Sequence, residues 1–426
     1  MTERLKNGNV GFGRNCPYCK AIFSHLDNFM KILFNGYQNL LPPRNGHHYG
    51  GPQSFTNSFI NYLKQKTNHT FTAIILRSDQ RIKGSDLKIK KTKEGPNNWL
   101  TIRANLKIKK IIKASTTTLP YGYQAIIKKL TAEIKNIQPD VILFNGFSVP
   151  NWYLLKAAHQ SGLPILVAHH GLWFKDIQAT GQLYSNSGKK LALKMEKDIY
   201  LLADQQIFFN DFSQKIFTTK IGGFFANKIN YLPLPYNTVY LNKKKPATAN
   251  SKILKIGLIG RWDNIKNHRA FWQLAKTTTK QKLPWKFYSV THWPDNKPLN
   301  NLQKKYKKHI QLVGQMTPAK LKKFYQSMNL LVLPSHFDVS PTVVMEAALQ
   351  NRLTLISANV GWVSIYKKFG LNKLIANFNQ PKQIINLIKN NTKQPAPTKF
   401  YNYIKTQHHP SEVFKKYLKL ASLAKK

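Results

Sequence analysis

Two acidic side chains, Asp338 and Glu346, stand eight positions apart across the start of a predicted helix. We expect that helix to begin at Pro341, because proline suits the first helical position and the preceding Ser340 is a good N-cap. Free N–H groups and the helix dipole favour an anion at such a terminus. Glu346, on the second helical turn, could accept hydrogen bonds from ligand hydroxyls. A single glutamate is usually just a solvated residue, but this chain has only six among 426 residues.

Cationic side chains come from an earlier loop that should reach the same place. An apolar strand is predicted over Ile253–Ile259, and it is followed by Gly260, Arg261 and then Lys266. A second apolar strand, Leu330–Leu333, precedes the acidic pair. Because the carboxyl ends of parallel strands meet at one edge of a sheet, Arg261 and Lys266 would supply countercharge to a diphosphate bound there. One Gly-Arg pair means little, whereas this ordered set on these elements is a specific signal.

The elements that must position these residues alternate between strands and helices. Such alternation predicts an α/β protein with parallel sheets and crossover helices. In addition to the two strands above, we predict strands at Met30–Phe34, Phe71–Leu76, Asp140–Phe144, Pro164–Ala168 and Gln206–Phe209, and helices at Ser54–Lys66, Gln124–Ile137, Trp152–Ser161, Lys189–Ala203 and Ser411–Leu423.

Taken in order, these motifs resemble the donor-binding half of a retaining GT-B glycosyltransferase of family 4 (glycosyl transferases group 1), whose mark is two acids separated by seven residues. The resemblance implies GT-B architecture, in which two Rossmann-like doubly wound parallel-sheet domains face a cleft. It also implies boundaries: an N-terminal extension over 1–29, with Met30 a candidate for the true start, an acceptor domain over 30–245, a nucleotide-sugar donor domain over 251–405, and a helix over 406–426 that returns to the first domain.

The resemblance also assigns roles to single residues. Arg261 and Lys266 would hold the donor diphosphate, Glu346 the ribose, and Asp338 would face the sugar near the reacting carbon. The implied catalytic set is Asp338, His170, Arg261 and Lys266. The implied donor-binding set is Gly260, Arg261, Lys266, Ser340, Thr342, Glu346, Gly50 and Gly51. For His170, the alternative is a strand-end histidine whose hydrogen bonds are satisfied within the protein.

Three residues depart from the pattern of the family. Asp338 stands where glutamate is usual and is one methylene shorter. Asn351 replaces the glycine that ends the motif helix, and asparagine tolerates the left-handed conformation required there. Trp362 replaces the second glycine before the next helix, which would alter the wall of the acceptor side. These departures keep open the alternative of a non-catalytic, GT-B-like carbohydrate-binding protein.

The formal net charge is +49, from 66 Lys and Arg against 17 Asp and Glu. An A/T-rich genome would raise lysine but also glutamate, so the shortage of acids predicts an anionic partner, either a membrane surface or nucleic acid. Residues 83–113 hold ten basic and two acidic side chains. Within them, Leu87–Lys91 repeats as Leu106–Lys110, and the alternation predicts two amphipathic strands with lysines outward. A solvated face is the plain alternative.

Because the sequence contains no recognisable basic-aromatic module for binding nucleic acid, we expect an anionic membrane as the partner and not nucleic acid. A basic nucleic-acid-binding protein remains the rival interpretation. Apolar runs long enough to span a membrane and an apolar secretion segment are not found, and the chain has two cysteines. The expectation is therefore a cytoplasmic protein, peripheral on the inner membrane face.

The two cysteines, Cys16 and Cys19, form a Cys-Pro-Tyr-Cys tetrapeptide in the extension, but no thioredoxin-like pattern follows it, so we expect neither a redox nor a metal role. No Asp-x-Asp pair occurs in the sequence, and we expect no metal and no cofactor besides the donor. The predicted activity is retaining hexosyl transfer from a nucleotide-diphosphate sugar to a glycan or lipid-linked acceptor in cell-envelope or polysaccharide biosynthesis. The sequence does not specify the base, sugar, acceptor, linkage or oligomeric state.

Overall fold

The structure is a computed structural model. It describes residues 29–36, 51–119, 122–146, 148–180, 184–222, 226–242, 244–246, 253–291, 297–391 and 394–425. Cys16, Cys19 and Gly50, which figured in the sequence predictions, lie outside these residues.

The first half of the chain forms an eight-stranded sheet in the order β3-β4-β2-β1-β5-β6-β7-β8. All neighbouring strands are parallel except β3, which runs antiparallel to β4 at the edge. The strands are β1 (Lys31–Asn35), β2 (Thr70–Ser78), β3 (Lys88–Glu94), β4 (Asn97–Ala104), β5 (Val141–Asn145), β6 (Ile165–Ala168), β7 (Gln205–Phe208) and β8 (Ile229–Tyr231).

The second half forms a six-stranded, fully parallel sheet in the order β11-β10-β9-β12-β13-β14. Its strands are β9 (Leu254–Ile259), β10 (Trp285–Val290), β11 (Gln311–Val313), β12 (Leu330–Leu333), β13 (Leu353–Ser357) and β14 (Ile375–Ala376). The strand order reverses between β9 and β12. In open parallel sheets, ligands bind in the crevice outside the carboxyl ends of the strands at such a switch point.

Helices connect the parallel strands. Those of the first half are α1 (Gly51–Lys66), α2 (Ile108–Ile112), α3 (Tyr123–Ile137), α4 (Val149–Ser161), α5 (Trp173–Thr180), α6 (Asn186–Leu202) and α7 (Asp211–Ile221). Those of the second half are α8 (His268–Lys280), α9 (Lys297–Tyr306), α10 (Pro318–Ser327), α11 (Thr342–Leu349), α12 (Val363–Lys368), α13 (Pro381–Asn391), α14 (Thr398–Gln407) and α15 (Pro410–Ala424). Three short 3-10 turns lie at Ala226–Lys228, Thr238–Tyr240 and Asn372–Leu374. Within the described ranges, no helix has the length and apolarity that crossing a membrane requires.

The central strands are buried throughout because helices cover both faces of each sheet. Strands β5, β6, β12 and β13 have every residue buried. Most of their residues are valine, isoleucine or leucine, which is typical of strands buried on both faces. The sequence prediction of two Rossmann-like parallel-sheet domains is therefore confirmed.

The last helix of the chain lies against the first sheet's helix α1. Phe414 of α15 stacks on Phe59 of α1 with ring centroids 4.7 Å apart. Lys425 forms an ion pair with Asp140, at the start of β5, with 2.8 Å between Nζ and Oδ1. The chain thus passes through the second sheet and ends on the first.

The predicted pair of amphipathic strands is wrong in its second copy. Residues of the first copy form the edge strand β3, but every residue of that strand is exposed, so the alternation buries no apolar face there. In the second copy, Lys107 takes a left-handed conformation, with φ of 53°, and the helix α2 follows. Strand β4 has already ended at Ala104. Leu106 in the turn and Ile111 in α2 are completely buried in a hydrophobic core of the first domain. Burial of these two apolar side chains decides the conformation here over the alternating pattern.

Candidate active site

The loops after β9 and β12 flank the switch point of the second sheet. Gly260 follows β9, and its N–H donates to the carbonyl of Val290 at 3.2 Å. A Cβ at Gly260 would lie 3.3 Å from Cγ of Lys266. The absence of a side chain at this position therefore lets the stem of Lys266 cross the end of the strand.

Arg261 extends into solvent from a loop that is itself fixed. Its side chain is 73% exposed and pairs with Asp263, at 3.3 Å between Nη2 and Oδ2. His268 contacts the carbonyl oxygen of Arg261 through Nε2 at 2.9 Å, and its Nδ1 lies 3.1 Å from the hydroxyl of Ser289. Burial lowers the pKa of His268 to about 4, so the imidazole that supports this loop is neutral.

Lys266 and Asp338, the two predicted site residues from different loops, form an ion pair. Both side chains are 16% exposed. The backbone N–H of Lys266 donates to Oδ1 of Asp263 at 2.9 Å, which fixes the base of the lysine side chain. A diphosphate bound here would compete with Asp338 for the ammonium group or share it.

The loop between β12 and α11, residues 334–341, carries Asp338, and we call it the acidic loop. The helix after it begins at Thr342, so the prediction that it begins at Pro341 with Ser340 as N-cap is wrong. Pro341 is the N-cap residue, with extended backbone, and no side chain caps the helix. The carbonyl of Pro341 accepts a hydrogen bond from Nε1 of Trp362 at 3.2 Å, which holds the residue outside the helix. Ser340 is half-buried in the loop, and the N-cap residue of α11 offers no side-chain acceptor to the first-turn N–H groups.

Glu346 lies on α11 and is held by two hydroxyl groups. Its Oε2 accepts a hydrogen bond from the hydroxyl of Tyr325 at 2.6 Å, and the side chain of Thr342 also bonds to it. Burial raises the pKa of Glu346, and the bonds from Tyr325 and Thr342 oppose that rise because they favour the carboxylate. Tyr325, on α10, has no counterpart among the sequence predictions, since nothing in its local pattern marks it.

Asn351 and Trp362, the two residues after the motif helix that depart from the family pattern, both lie among the described residues. Asn351 has φ of 58°, the left-handed conformation that the sequence predicted. Its side chain donates to Pro246 and accepts from the N–H of Ala396. Trp362 is 1% exposed and packs against His408, so it is a core residue beneath the acidic loop. The prediction that it alters a cleft wall does not fit this burial.

His170 follows β6 at the carboxyl edge of the first sheet. Its ring lies between Phe55, at 5.0 Å, and Phe209, at 4.8 Å. Burial lowers its pKa to about 3, and its Nε2 atom is without a hydrogen-bond partner among the described residues. The neighbouring His169, in contrast, bonds to Gln206 at 2.7 Å. The strand-end histidine with a satisfied ring nitrogen is therefore His169, whereas Nε2 of His170 is buried without a partner within the described part of the chain.

Gly51, also assigned to the site, opens helix α1. That helix begins three residues before the predicted start at Ser54. A Cβ at Gly51 would meet nothing within 4 Å, so no described group approaches the backbone closely at this position.

Asp176 was missed by the sequence prediction. It lies in the first turn of α5, and its Oδ2 is 3.2 Å from where a Cβ on Gly171 would be. Burial raises the pKa of Asp176 to about 6, and the charges of Arg261 and Asp338 act on it as well. The first domain thus contributes a carboxyl group that faces the charged loops of the second. Asp176 is a single aspartate on a short helix, and nothing in its sequence context indicates that it faces these loops.

The helix that bears Asp176 is capped by a buried carboxyl group. Glu196 accepts hydrogen bonds from the N–H groups of Trp173 and Phe174, both at 2.8 Å. Burial raises the pKa of Glu196 to about 8, although the two N–H groups favour its ionised form. No cluster of three or more His, Cys, Asp or Glu side chains within the described ranges is arranged to hold a metal ion.

A family model described as glycosyl transferases group 1 matches residues 241–407. A search of curated proteins found no match. Among solved structures, the chain is similar to sucrose-phosphate synthase from Thermosynechococcus elongatus, with a TM-score of 0.68 and 14% identity over 92% of this chain and 98% of the other. The fold is GT-B.

Two further structures have the same architecture. HepE of Anabaena, in complex with UDP, gives a TM-score of 0.60 at 12% identity over 91% of this chain and 98% of the other. The apo form of the lipopolysaccharide outer core galactosyltransferase WaaB gives 0.61 at 16% identity over 91% and 98%. Likeness at these identities shows the fold alone.

Proposed function

We propose that the protein is a glycosyltransferase that takes a sugar from a nucleotide-diphosphate donor and retains the anomeric configuration. One observation carries the proposal: Lys266 and Asp338, from loops that flank the switch point, are in contact beside the uncapped N-terminus of α11. A cation and a helix N-terminus suit a diphosphate, and a carboxylate suits sugar hydroxyls. The family match over residues 241–407 and the likeness to a UDP-bound protein support it.

In the reaction, the bond between the anomeric carbon and the phosphate oxygen breaks, and its electron pair stays on the nucleoside diphosphate. The acceptor oxygen forms a bond to that carbon from the same face, and its proton passes to the departing phosphate oxygen. Lys266, Arg261 and the N–H groups of α11 would stabilise the negative charge that develops on the diphosphate. Glu346 would bind the ribose, and Asp338 the sugar.

The acceptor would enter along the carboxyl edge of the first sheet. His170 is neutral there, and its ring lies between the aromatic rings of Phe55 and Phe209 at this edge. The acceptor we propose is a glycan or a lipid-linked glycan of the cell envelope, and no metal or further cofactor takes part.

The test is a thermal-shift screen of UDP-, GDP-, ADP- and dTDP-sugars, followed by NMR of the product that the stabilising donor gives with oligosaccharide and lipid-linked acceptors. A ligand at 100 times its Kd raises the free energy of unfolding by about 2.7 kcal/mol. We expect one donor class to stabilise the protein and the product to keep the donor's configuration. Donor binding without turnover would instead favour the carbohydrate-binding alternative, and inversion would contradict retention.

We further propose that the enzyme works as a peripheral protein on the cytoplasmic face of an anionic membrane. The contact would be the basic edge, which we define as strand β3 with Lys88, Lys90, Lys91 and Lys93. All seven residues of β3 are exposed, and Ile89 among the lysines is 41% exposed. Each lysine near an anionic surface contributes about 1 kcal/mol, and the attraction fades within a Debye length.

Sedimentation with phosphatidylglycerol and phosphatidylcholine vesicles tests this contact. Changing Lys88, Lys90, Lys91 and Lys93 of the basic edge to Gln should abolish binding to the anionic vesicles at low salt. The matched control removes four exposed lysines of the second domain, Lys286, Lys304, Lys307 and Lys308, and should leave binding nearly unchanged. Equal losses in both variants would assign binding to net charge, and tighter binding to DNA than to vesicles at physiological salt would favour the nucleic-acid rival.

A further inference from the structure

The residues on either side of Asp338 are packed against the first domain. Phe337 and Val339 are 7% and 2% exposed, and they share a cluster with residues of β7 and α7, including Phe208 and Phe217. Phe337 also stacks on Phe212 of α7, with centroids 6.0 Å apart. The acidic loop therefore belongs to the second domain in sequence but is packed partly by the first.

One polar contact joins the two domains at this loop. The side-chain amide of Asn210 donates from Nδ2 to the carbonyl oxygen of Val339 at 2.6 Å. Within the second domain, the N–H of Asp338 donates to Asn359 and its carbonyl accepts from Gly361. The backbone at Asp338 is thus held from one side by its own domain, and one residue later it is held by the other.

Asn210 is itself fixed at both ends of its side chain. It is the N-cap of α7, and its Oδ1 accepts from the N–H of Ser213 at 2.9 Å. The packing around Asn210 is tight. A Cβ at Gly361 would lie 1.9 Å from the carbonyl oxygen of Val339 and 2.3 Å from Nδ2 of Asn210. Only glycine fits at position 361 while this hydrogen bond is made.

We propose that Asn210 is a positioning residue for Asp338: from the first domain, it sets the backbone of the acidic loop and thereby aims the carboxylate. The inference rests on the proposed glycosyl transfer for its kinetic consequence but not for its structural one. A hydrogen bond of this kind is worth a factor of roughly 3 to 10 in an equilibrium. We expect loss of the bond to lower kcat by about that factor and to leave the donor KM within about twofold, because the bonds of Asn210 run to the backbone of Val339 and Ser213 and not to the proposed diphosphate ligands Arg261 and Lys266.

Two variants separate the bond from the helix cap. Asn210→Ser keeps a good N-cap but cannot reach Val339, whereas Asn210→Ala loses both. Ser364→Ala is the matched control, because the hydroxyl of Ser364 donates to Asp211 at 3.1 Å in an exposed contact between the same two domains that does not touch the acidic loop. We expect Asn210→Ser and Asn210→Ala to show the same fall in kcat, and Ser364→Ala to behave as wild type.

Hydrogen exchange of the segment 336–340 provides a readout that does not require turnover. The segment should exchange roughly 3 to 10 times faster in Asn210→Ser than in wild type, with no change in Ser364→Ala. Exchange and kcat that match wild type in Asn210→Ser would overturn the inference, as would a fall in kcat without faster exchange, or an effect in Asn210→Ala alone. If wild type transfers no sugar, the proposed function fails, while the exchange result still decides whether Asn210 holds the loop.

Discussion

The hydroxyl of the fully buried Tyr325 donates to Glu346, and its removal leaves the half-buried carboxyl group with one donor fewer. A hydrogen bond to a charged group contributes about 1.5–3 kcal/mol, and the cost of deleting it falls on the ionised form. We therefore expect Tyr325→Phe to lower the free energy of unfolding by about 1.5–3 kcal/mol at pH 9, and to raise the pKa of Glu346 further.

The sign of the pH dependence follows from this shift. Burial already raises the pKa of Glu346 above its unfolded value, so the native state binds the proton more tightly than the unfolded chain. The stability that this group contributes is present at low pH and is lost as pH rises through the folded pKa. Because the tyrosine hydroxyl favours the carboxylate, Tyr325→Phe should deepen that loss, and the difference from wild type should shrink toward pH 4.

Guanidinium unfolding at pH 4 and pH 9 measures the effect in wild type, Tyr325→Phe, Glu346→Gln and the double variant. The coupling energy at pH 9 should be about 1.5–3 kcal/mol. Tyr366→Phe is the matched control, since that buried hydroxyl donates to the neutral carbonyl of Thr354 at 2.9 Å and should cost about 1 kcal/mol at either pH. A coupling below about 0.5 kcal/mol, or equal effects at both pH values, would refute the reasoning.

Three further predictions concern the site and its support. Glu346→Ala should weaken nucleotide binding, whereas Asp338→Ala should preserve it and lower turnover; equal nucleotide affinity in wild type and Glu346→Ala would contradict the ribose assignment. Activity should survive excess EDTA, and strict dependence on added manganese or magnesium would show that a metal takes part. Because burial raises the pKa of Glu196 to about 8, wild-type stability should fall as pH rises from about 5 to 8, by at most about 1.4 kcal/mol per unit. Glu196→Gln should make that fall shallower by the part that Glu196 contributes, and identical pH profiles of the two proteins would argue against a buried proton on Glu196.

The parallel sheets were predictable because their signal is local. Strand β12 was predicted at the residues where it lies. Its four consecutive aliphatic residues are typical of a strand that is buried on both faces. Asn351 was predictable for a different reason, since a helix end that reverses the chain requires the left-handed conformation, and few residue types tolerate it.

The predictions that failed, and the residues that were missed, depend on contacts between distant parts of the chain. The carbonyl of Pro341, just before α11, accepts a hydrogen bond from Trp362, 21 residues further along the chain. Leu106 is fully buried, which its lysine-rich neighbours in the sequence do not indicate. Tyr325 and Asn210 carry no local signal of their partners, which are 21 and 129 residues away. The antiparallel pairing of β3 with β4 was likewise not evident from alternation alone.

Titration calorimetry with UDP, GDP and ADP tests the central claim most directly, with wild type, Arg261→Met/Lys266→Met and the control Lys280→Met at the far end of α8. At least one nucleoside diphosphate should bind wild type and Lys280→Met equally. The double variant should bind it about tenfold more weakly or worse, because each charge-assisted hydrogen bond contributes about 1.5–3 kcal/mol. Binding of none of the three to wild type, or equal affinity in the double variant, would contradict a diphosphate site at the switch point of the second sheet.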